Sequence, residues 1–234
     1  MSVIDEAISA LQAGKFVLVH DDKGREDEVD MIIAAEHVKP WHVCMMRKYA
    51  GGLLCLAVEN EIAVKLGLNY MHDILQSLSN INQLFSKLTY RKTPYGDRPS
   101  FSISINHRDT FTGITDIDRA LTINKMAEVC KNINSRGTEE FATNFRCPGH
   151  VPILIASKGL LQERAGHTEL CVYLMKLAGL IPAVAICEML DSSSYKSLSA
   201  HKAKKYATKF GIPILEAIEL KNAQTTPTTA TRLN

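Results

Sequence analysis

Phe16-Val17-Leu18-Val19-His20, Asp21-Asp22-Lys23-Gly24-Arg25-Glu26-Asp27-Glu28-Val29-Asp30 and Met31-Ile32-Ile33-Ala34-Ala35 follow one another without a break. The first apolar run reads as a strand, the last as a second apolar element, and the middle decad as a charged loop between them. That loop sets six carboxylates against two cations. Divalent cations or a polyhydroxylated, phosphorylated ligand most readily offset such repulsion. An acidic surface turn is the commoner cause of such runs, so local composition leaves both readings open.

Upstream, Ser2 with Asp5 has the form of a capping box, and Ile4, Ala7, Ile8 and Leu11 recur at helical spacing until Gly14. A first helix therefore feeds strand 16–20. Downstream, Pro40 opens a helix that ends at Gly51-Gly52, and strand 53–58 follows. Residues 60–66 read as a short helix, 101–105 as a strand and 124–131 as a helix. Strand 151–155, helix 168–178, strand 184–189, helix 199–210 and strand 212–215 complete the alternation. This order predicts an α+β fold, a three-layer α/β/α arrangement around a central mixed sheet. A single domain is expected over 1–220, with 221–234 as a flexible tail. Residues 72–99, rich in Ser, Asn and Gln, read as a helical insertion or a mobile lid. There is no internal repeat.

The chain has 234 residues, 46% of them hydrophobic, enough for one substantial core. Its net charge of +2 is spread rather than striped, so nucleic acid is not an expected partner. Lys202, Lys204, Lys205 and Lys209 read as the solvated face of a helix. Cys44, Cys55, Cys130, Cys147, Cys171 and Cys187 show no C-x-x-C spacing, which favours a reducing compartment. The start lacks the pattern of a signal peptide, and no apolar run reaches the length of a membrane span. A soluble, cytoplasmic protein with no membrane partner is expected.

A second polar cluster, Arg164-Ala165-Gly166-His167-Thr168-Glu169, stands just before an apolar helix. Thr168 can cap that helix, and Arg164, Gly166 and the free N–H groups could hold a phosphate; an ordinary cap beside a surface Arg is the plainer reading. Two more polar residues interrupt apolar flanks: His150 after Cys147-Pro148-Gly149, and Glu188 after Ala183-Val184-Ala185-Ile186-Cys187. Burial would raise the pKa of Glu188, which suits a general acid or base, whereas a structural ion pair is the alternative.

Taken in order, five segments are no longer generic: Arg25-Glu-Asp-Glu-Val-Asp30, Thr112-Gly-Ile-Thr115 with Asp118-Arg119, Pro148-Gly-His150, Arg164-x-Gly-His-Thr-Glu169 and Cys187-Glu188. Together they resemble the 3,4-dihydroxy-2-butanone 4-phosphate synthases of riboflavin biosynthesis, from about residue 3 to about residue 217. The resemblance implies a three-layer lyase, active as a homodimer, that converts D-ribulose 5-phosphate into formate and L-3,4-dihydroxy-2-butanone 4-phosphate. It implies magnesium, up to two ions per site, with manganese able to substitute.

Carried over by position, Glu26 and His167 match metal ligands. Arg25, Glu26, Asp30, Cys55, Thr112, Arg164, Gly166, His167, Thr168 and Glu188 match substrate-binding positions. His150 and Glu188 match residues of the chemistry, and Asp21 and Glu28 join them as candidate proton carriers. The form resembles the monofunctional, archaeal-type synthases. One departure stands out: Val29 occupies a position where the commonest family loop has Gly, and a β-branched residue does not adopt positive φ cheaply. Two rival readings remain, a magnesium-dependent phosphosugar hydrolase or isomerase and a non-catalytic nucleotide- or RNA-binding module on a related fold.

Overall fold

The computed structural model describes residues 2–89 and 96–225. The chain opens with α1 (Val3–Gln12), whose capping box closes as expected: Ser2 Oγ accepts the Asp5 N–H at 3.2 Å while Asp5 accepts the Ser2 N–H at 3.2 Å. Strands β1 (Val17–His20) and β2 (Val29–Ala34) flank the acidic loop. Helix α2 (Pro40–Met45) runs on as one wider turn over Met46–Ala50 and stops at Gly51, whose φ of +89° only glycine adopts easily. Then come β3 (Cys55–Val58), α3 (Asn60–Lys65), α4 (Met71–Ser77), α5 (Gln83–Leu88), β4 (Phe101–His107), α6 (Asp116–Lys131) and α7 (Gly137–Asn144). Strand β5 (Phe145–Ile155), α8 (His167–Leu177), β6 (Ala183–Glu188), the small hairpin β7 (Leu190–Asp191) with β8 (Lys196–Ser197), α9 (Ala200–Phe210), β9 (Ile214–Glu216) and α10 (Ala217–Thr225) finish the described chain.

The main sheet has seven strands in the order β4-β5-β3-β6-β2-β1-β9. Pairs β1/β9 and β3/β5 are parallel and the others antiparallel, so the sheet is mixed. Strands β1, β2 and β3 are buried at every position, and β6 at all but Glu188, because each face carries a helical layer. Leu18, Met31 and Ile33 point to a core shared with Val43, Met46, Ile123, Met126 and Ala203. Their neighbours Val17, Val19, Ile32 and Ala34 point the other way, to Ala7, Leu11, Leu170 and Leu174 of α1 and α8. Two-residue alternation thus feeds two cores, and the strands read as unbroken apolar runs.

Several elements exceed their predicted bounds. Helix α6 begins at Asp116 rather than 124, because Asp118 and Thr122 lie buried on its inner face and mask the apolar period. Asp118 accepts N–H groups from Phe111 and Gly113, and Thr122 Oγ1 donates to the Asp118 carbonyl. Residues 72–99 contain α4 and α5, with 90–95 outside the described residues. Helix α10 covers 221–225 of the expected tail; residues 226–234 lie outside the described residues. Among the described residues no helix is long and apolar enough to cross a membrane.

Candidate active site

The α8 side of the sheet carries a cavity of about 200 Å³. Its floor is made by side chains of four adjacent strands: Leu154 of β5, Cys55 of β3, Glu188 with Ile186 of β6, and Asp30 of β2. Alternation directs all of them to the same face as Ile32 and Ala57, which pack under α8. The register opposes Asp30 to Glu188, so two carboxylates meet on neighbouring strands. The roof is the N-terminus of α8, with His167 and Thr168 in its first turn and Gly166 as its N-cap.

His167 gathers the acidic loop. Its Nδ1 is 2.5 Å from Asp30 Oδ2, and its Nε2 is 3.4 Å from Asp21 Oδ2 and 3.6 Å from Glu26 Oε2. Burial alone would lower its pKa, but Asp30, Asp21 and Glu26 outweigh burial and hold the imidazole up at about 9. Asp21 is itself buried, which raises its pKa against the pull of His167 and of the N–H groups of Glu26 and Glu28. One ligand atom from each of Asp21, Glu26 and His167 fits within 4.8 Å of the others. The backbone of the loop follows from the same contacts. Positive φ falls on Asp27, at +53°, where an Asp is tolerated, and Val29 is already extended in β2. Asp27 is held by His20 Nε2 at 3.0 Å, and His20 Nδ1 reaches Glu216 at 2.6 Å.

Glu188 lies at the opposite rim. Its Oε2 accepts the Leu53 N–H at 2.7 Å, and its carbonyl accepts the Gly52 N–H at 2.9 Å. A Cβ on residue 52 would come within 2.4 Å of that carboxylate, so Gly52 is what lets the chain pass Glu188 closely. Burial, reinforced by Asp30, raises its pKa above the usual carboxylate value. Cys55 is fully buried, and burial pushes its thiol far above the ordinary range, so it lines the cavity as a neutral group.

Arg164 lines the third side. Its Nη1 donates to Glu169 Oε2 at 2.6 Å and to Ser100 Oγ at 2.9 Å, and its Nε is 3.4 Å from Asp97. Arg25 pairs with the same Asp97 and lies 3.7 Å from Asp21. Glu169 is buried, which raises its pKa against Arg164, and is anchored by the Ser157 N–H at 2.9 Å. A Cβ on Gly166 would approach both guanidinium groups within 3 Å, so bare backbone is required where the arginines converge.

The remaining expected residues lie elsewhere in the chain. Glu28 does not line the cavity; its side chain bonds Ser197 of the β7–β8 hairpin. His150 is exposed in a bulge of β5, where residues 147–150 loop out of register with β4. It sits four residues before Leu154, about 13 Å at the usual strand rise. Asn106 holds it: Oδ1 accepts the His150 N–H at 2.8 Å, Nδ2 is 3.1 Å from His150 Nδ1, and Nδ2 also donates to the Thr112 carbonyl at 3.4 Å. Gly113 and Gly149 allow this close packing, since a Cβ on either would lie about 2 Å from Asn106 or from the β4 backbone. His150 and Thr112 thus form a second cluster, beside exposed Phe111, Ile114 and Ile117.

Asn106, Asp97 and Ser100 escaped the sequence reading. Asn106 is a polar residue in an otherwise strand-like run, a signal that could have been followed; Asp97 and Ser100 adjoin the least periodic stretch and gave none.

A family model for 3,4-dihydroxy-2-butanone 4-phosphate synthase matches residues 5–223. The chain belongs to that family. A synthase of that name from Methanothermobacter thermautotrophicus is 45% identical over 218 residues, covering 93% of this chain and 94% of the relative. One from Archaeoglobus fulgidus is 45% identical over 213 residues, covering 91% of this chain and 90% of the relative. The solved synthase of Candida albicans superposes with a TM-score of 0.75 at 31% identity, over 97% of this chain and 99% of that one. Another solved synthase, in complex with two magnesium ions, superposes with a TM-score of 0.75 at 28% identity, over 94% of this chain and 95% of that one.

Proposed function

We propose that the protein is a lyase that converts D-ribulose 5-phosphate to L-3,4-dihydroxy-2-butanone 4-phosphate and formate in riboflavin biosynthesis. Family membership sets the reaction; the observation in the fold that carries it is the convergence of Asp21, Glu26 and His167 next to an arginine pair at a helix N-terminus.

The residues present fit a divalent cation. His167 Nε2 is buried and makes no hydrogen bond among the described residues, while two carboxylates face it. Oxygen-rich donors suit magnesium, and the imidazole extends the set to manganese. Glu26 and His167 would hold the ion, with Asp21 as a third ligand, binding releasing the proton that the three carboxylates otherwise keep on the ring, and Asp30 on Nδ1 fixes the ring so that Nε2 faces them. When bound, the ion would supply Lewis-acid stabilisation of charge on the sugar's vicinal oxygens.

The chain's own groups account for the rest. Arg25, Arg164 and the N–H groups of Gly166, His167 and Thr168 would anchor the phosphate and so fix the carbon chain over the carboxylates. Glu188, opposite that anchor with a raised pKa, can give or take a proton near neutrality. Its Leu53 hydrogen bond keeps the carboxyl aimed into the cavity. Asp30 and Cys55 close the floor, and neutral Cys55 adds no charge.

His150 and Thr112 complete the site from a second copy. They sit together on an exposed surface with Phe111, Ile114 and Ile117, which two copies would bury against each other. A homodimer with each cavity facing the partner's His150 follows.

Carbon-13 NMR of ribulose 5-phosphate with the protein and magnesium tests the reaction. Formate should appear and chelator should stop it. Release of inorganic phosphate, or an isomeric pentulose without formate, would establish the hydrolase or isomerase reading instead.

A further inference from the structure

The anion seated between the two arginines is the protein's own. Asp97 Oδ2 accepts from Arg25 Nη1 and lies 3.4 Å from Arg164 Nε, so a single carboxylate oxygen bridges both guanidinium groups. Those groups rest on Gly166 at the N-cap of α8, the position where phosphate is proposed to bind. We propose that Asp97 is a built-in counter-ion that competes with the substrate's phosphate for Arg25 and Arg164, and thereby sets which anions the site admits. The inference rests on the reading that these arginines grip the phosphate.

The two acidic partners of Arg164 differ in kind. Glu169 is wholly buried in the first turn of α8, bonds Arg164 at 2.6 Å and is pinned by the Ser157 N–H. It positions the guanidinium permanently. The Asp97 side chain is 30% exposed and lies in irregular backbone between Gly96, with φ of +93°, and Pro99. It lines a neighbouring polar cavity of about 310 Å³ together with Asp73, Arg98 and Glu163, so a displaced carboxylate has room on that side. With Asp97 in place, the two guanidinium groups already face three carboxylates, Asp97, Glu169 and Asp21, so the position offers an incoming anion no net positive charge. A phosphate dianion brought to the same nitrogens would meet the Asp97 oxygen at contact distance, so the two anions exclude each other. A dianion with the helix N-terminus behind it can displace the carboxylate; a monoanion has less to offer.

The apparent phosphate affinity is then the intrinsic affinity reduced by the fraction of molecules in which Asp97 has left the arginines. Calorimetric titration of the magnesium-loaded full chain with inorganic phosphate reads this directly. Asp97→Asn, close to isosteric, should tighten phosphate binding about five- to tenfold, and Asp97→Ala should act in the same direction. KM for ribulose 5-phosphate should fall in parallel while kcat stays level or drops, a split that a merely structural change would not produce. In an Arg25→Gln background the gain should disappear. If Arg25→Gln weakens phosphate binding but neither Asp97 variant tightens it, the counter-ion role is overturned and the phosphate grip stands. If Arg25→Gln and Arg164→Lys both leave phosphate affinity unchanged, the grip fails and the inference fails with it.

Discussion

Glu188 and Asp30 show how a register sets chemistry at the level of single residues. Opposed on β6 and β2, they share one face, and burial plus like charge holds Glu188 above its ordinary pKa. Glu188→Gln keeps the volume and an acceptor for the Leu53 N–H but cannot exchange a proton. Steady-state kinetics should show kcat reduced by about 10²- to 10⁴-fold with KM little changed, and a kcat within about twofold of wild type would remove Glu188 from the proton transfers. The proposed role of Asp30 runs through the His167 ring it holds. Asp30→Asn loosens the ring whose Nε2 faces Asp21 and Glu26, and should raise the magnesium concentration for half-maximal rate about ten- to a hundredfold. An unchanged magnesium dependence would assign Asp30 to substrate contact alone.

Among the elements, α2 carries a titratable cap. The Lys39 N–H donates to His42 Nδ1 at 2.9 Å, and Nε2 is 3.2 Å from the Gly14 carbonyl, so the neutral ring fits with Nδ1 as acceptor. Burial lowers its pKa to about 4. Between pH 6.5 and about 4 the unfolded chain binds a proton here that the folded one refuses, so His42 makes stability fall on acidification through that window. The effect amounts to at most about 3 kcal/mol. His42→Gln keeps a capping acceptor without the titration, and the wild type should lose more stability than this variant in urea unfolding between pH 7 and 4.5. Equal losses would contradict the argument. The elements that local chemistry announces were legible beforehand: the Ser2–Asp5 box, Pro40 at the start of α2, Gly51 at its end. The first two turns of α6 were not, because Asp118 and Thr122 are buried polar residues that only the tertiary contacts with the 111–113 turn explain. The long β5 was not either, since its bulge at 147–150 breaks the two-residue period. Of the site, the residues on the acidic loop and at the α8 start could be read because their composition is unusual there; Asp97 and Asn106 acquire meaning only from what they touch.

For the molecule as a whole, the cavity and the His150–Asn106–Thr112 cluster are separate assemblies, and the proposed dimer joins them. Mixing subunits tests this without further structure. Glu26→Gln damages the cavity and His150→Asn the other cluster, so a mixed dimer places both lesions in one site and leaves its second site intact. Equal amounts of the two inactive variants, unfolded and refolded together, should recover about a quarter of wild-type activity. No recovery would mean that each subunit builds its site alone.

The cation cluster is what the rest of the mechanism stands on, and anomalous diffraction from crystals grown with manganese and ribulose 5-phosphate examines it most directly. An anomalous peak is predicted between Asp21, Glu26 and His167, about 2.0–2.3 Å from the ligand atoms. A peak at other side chains, with these three left uncoordinated, would contradict it.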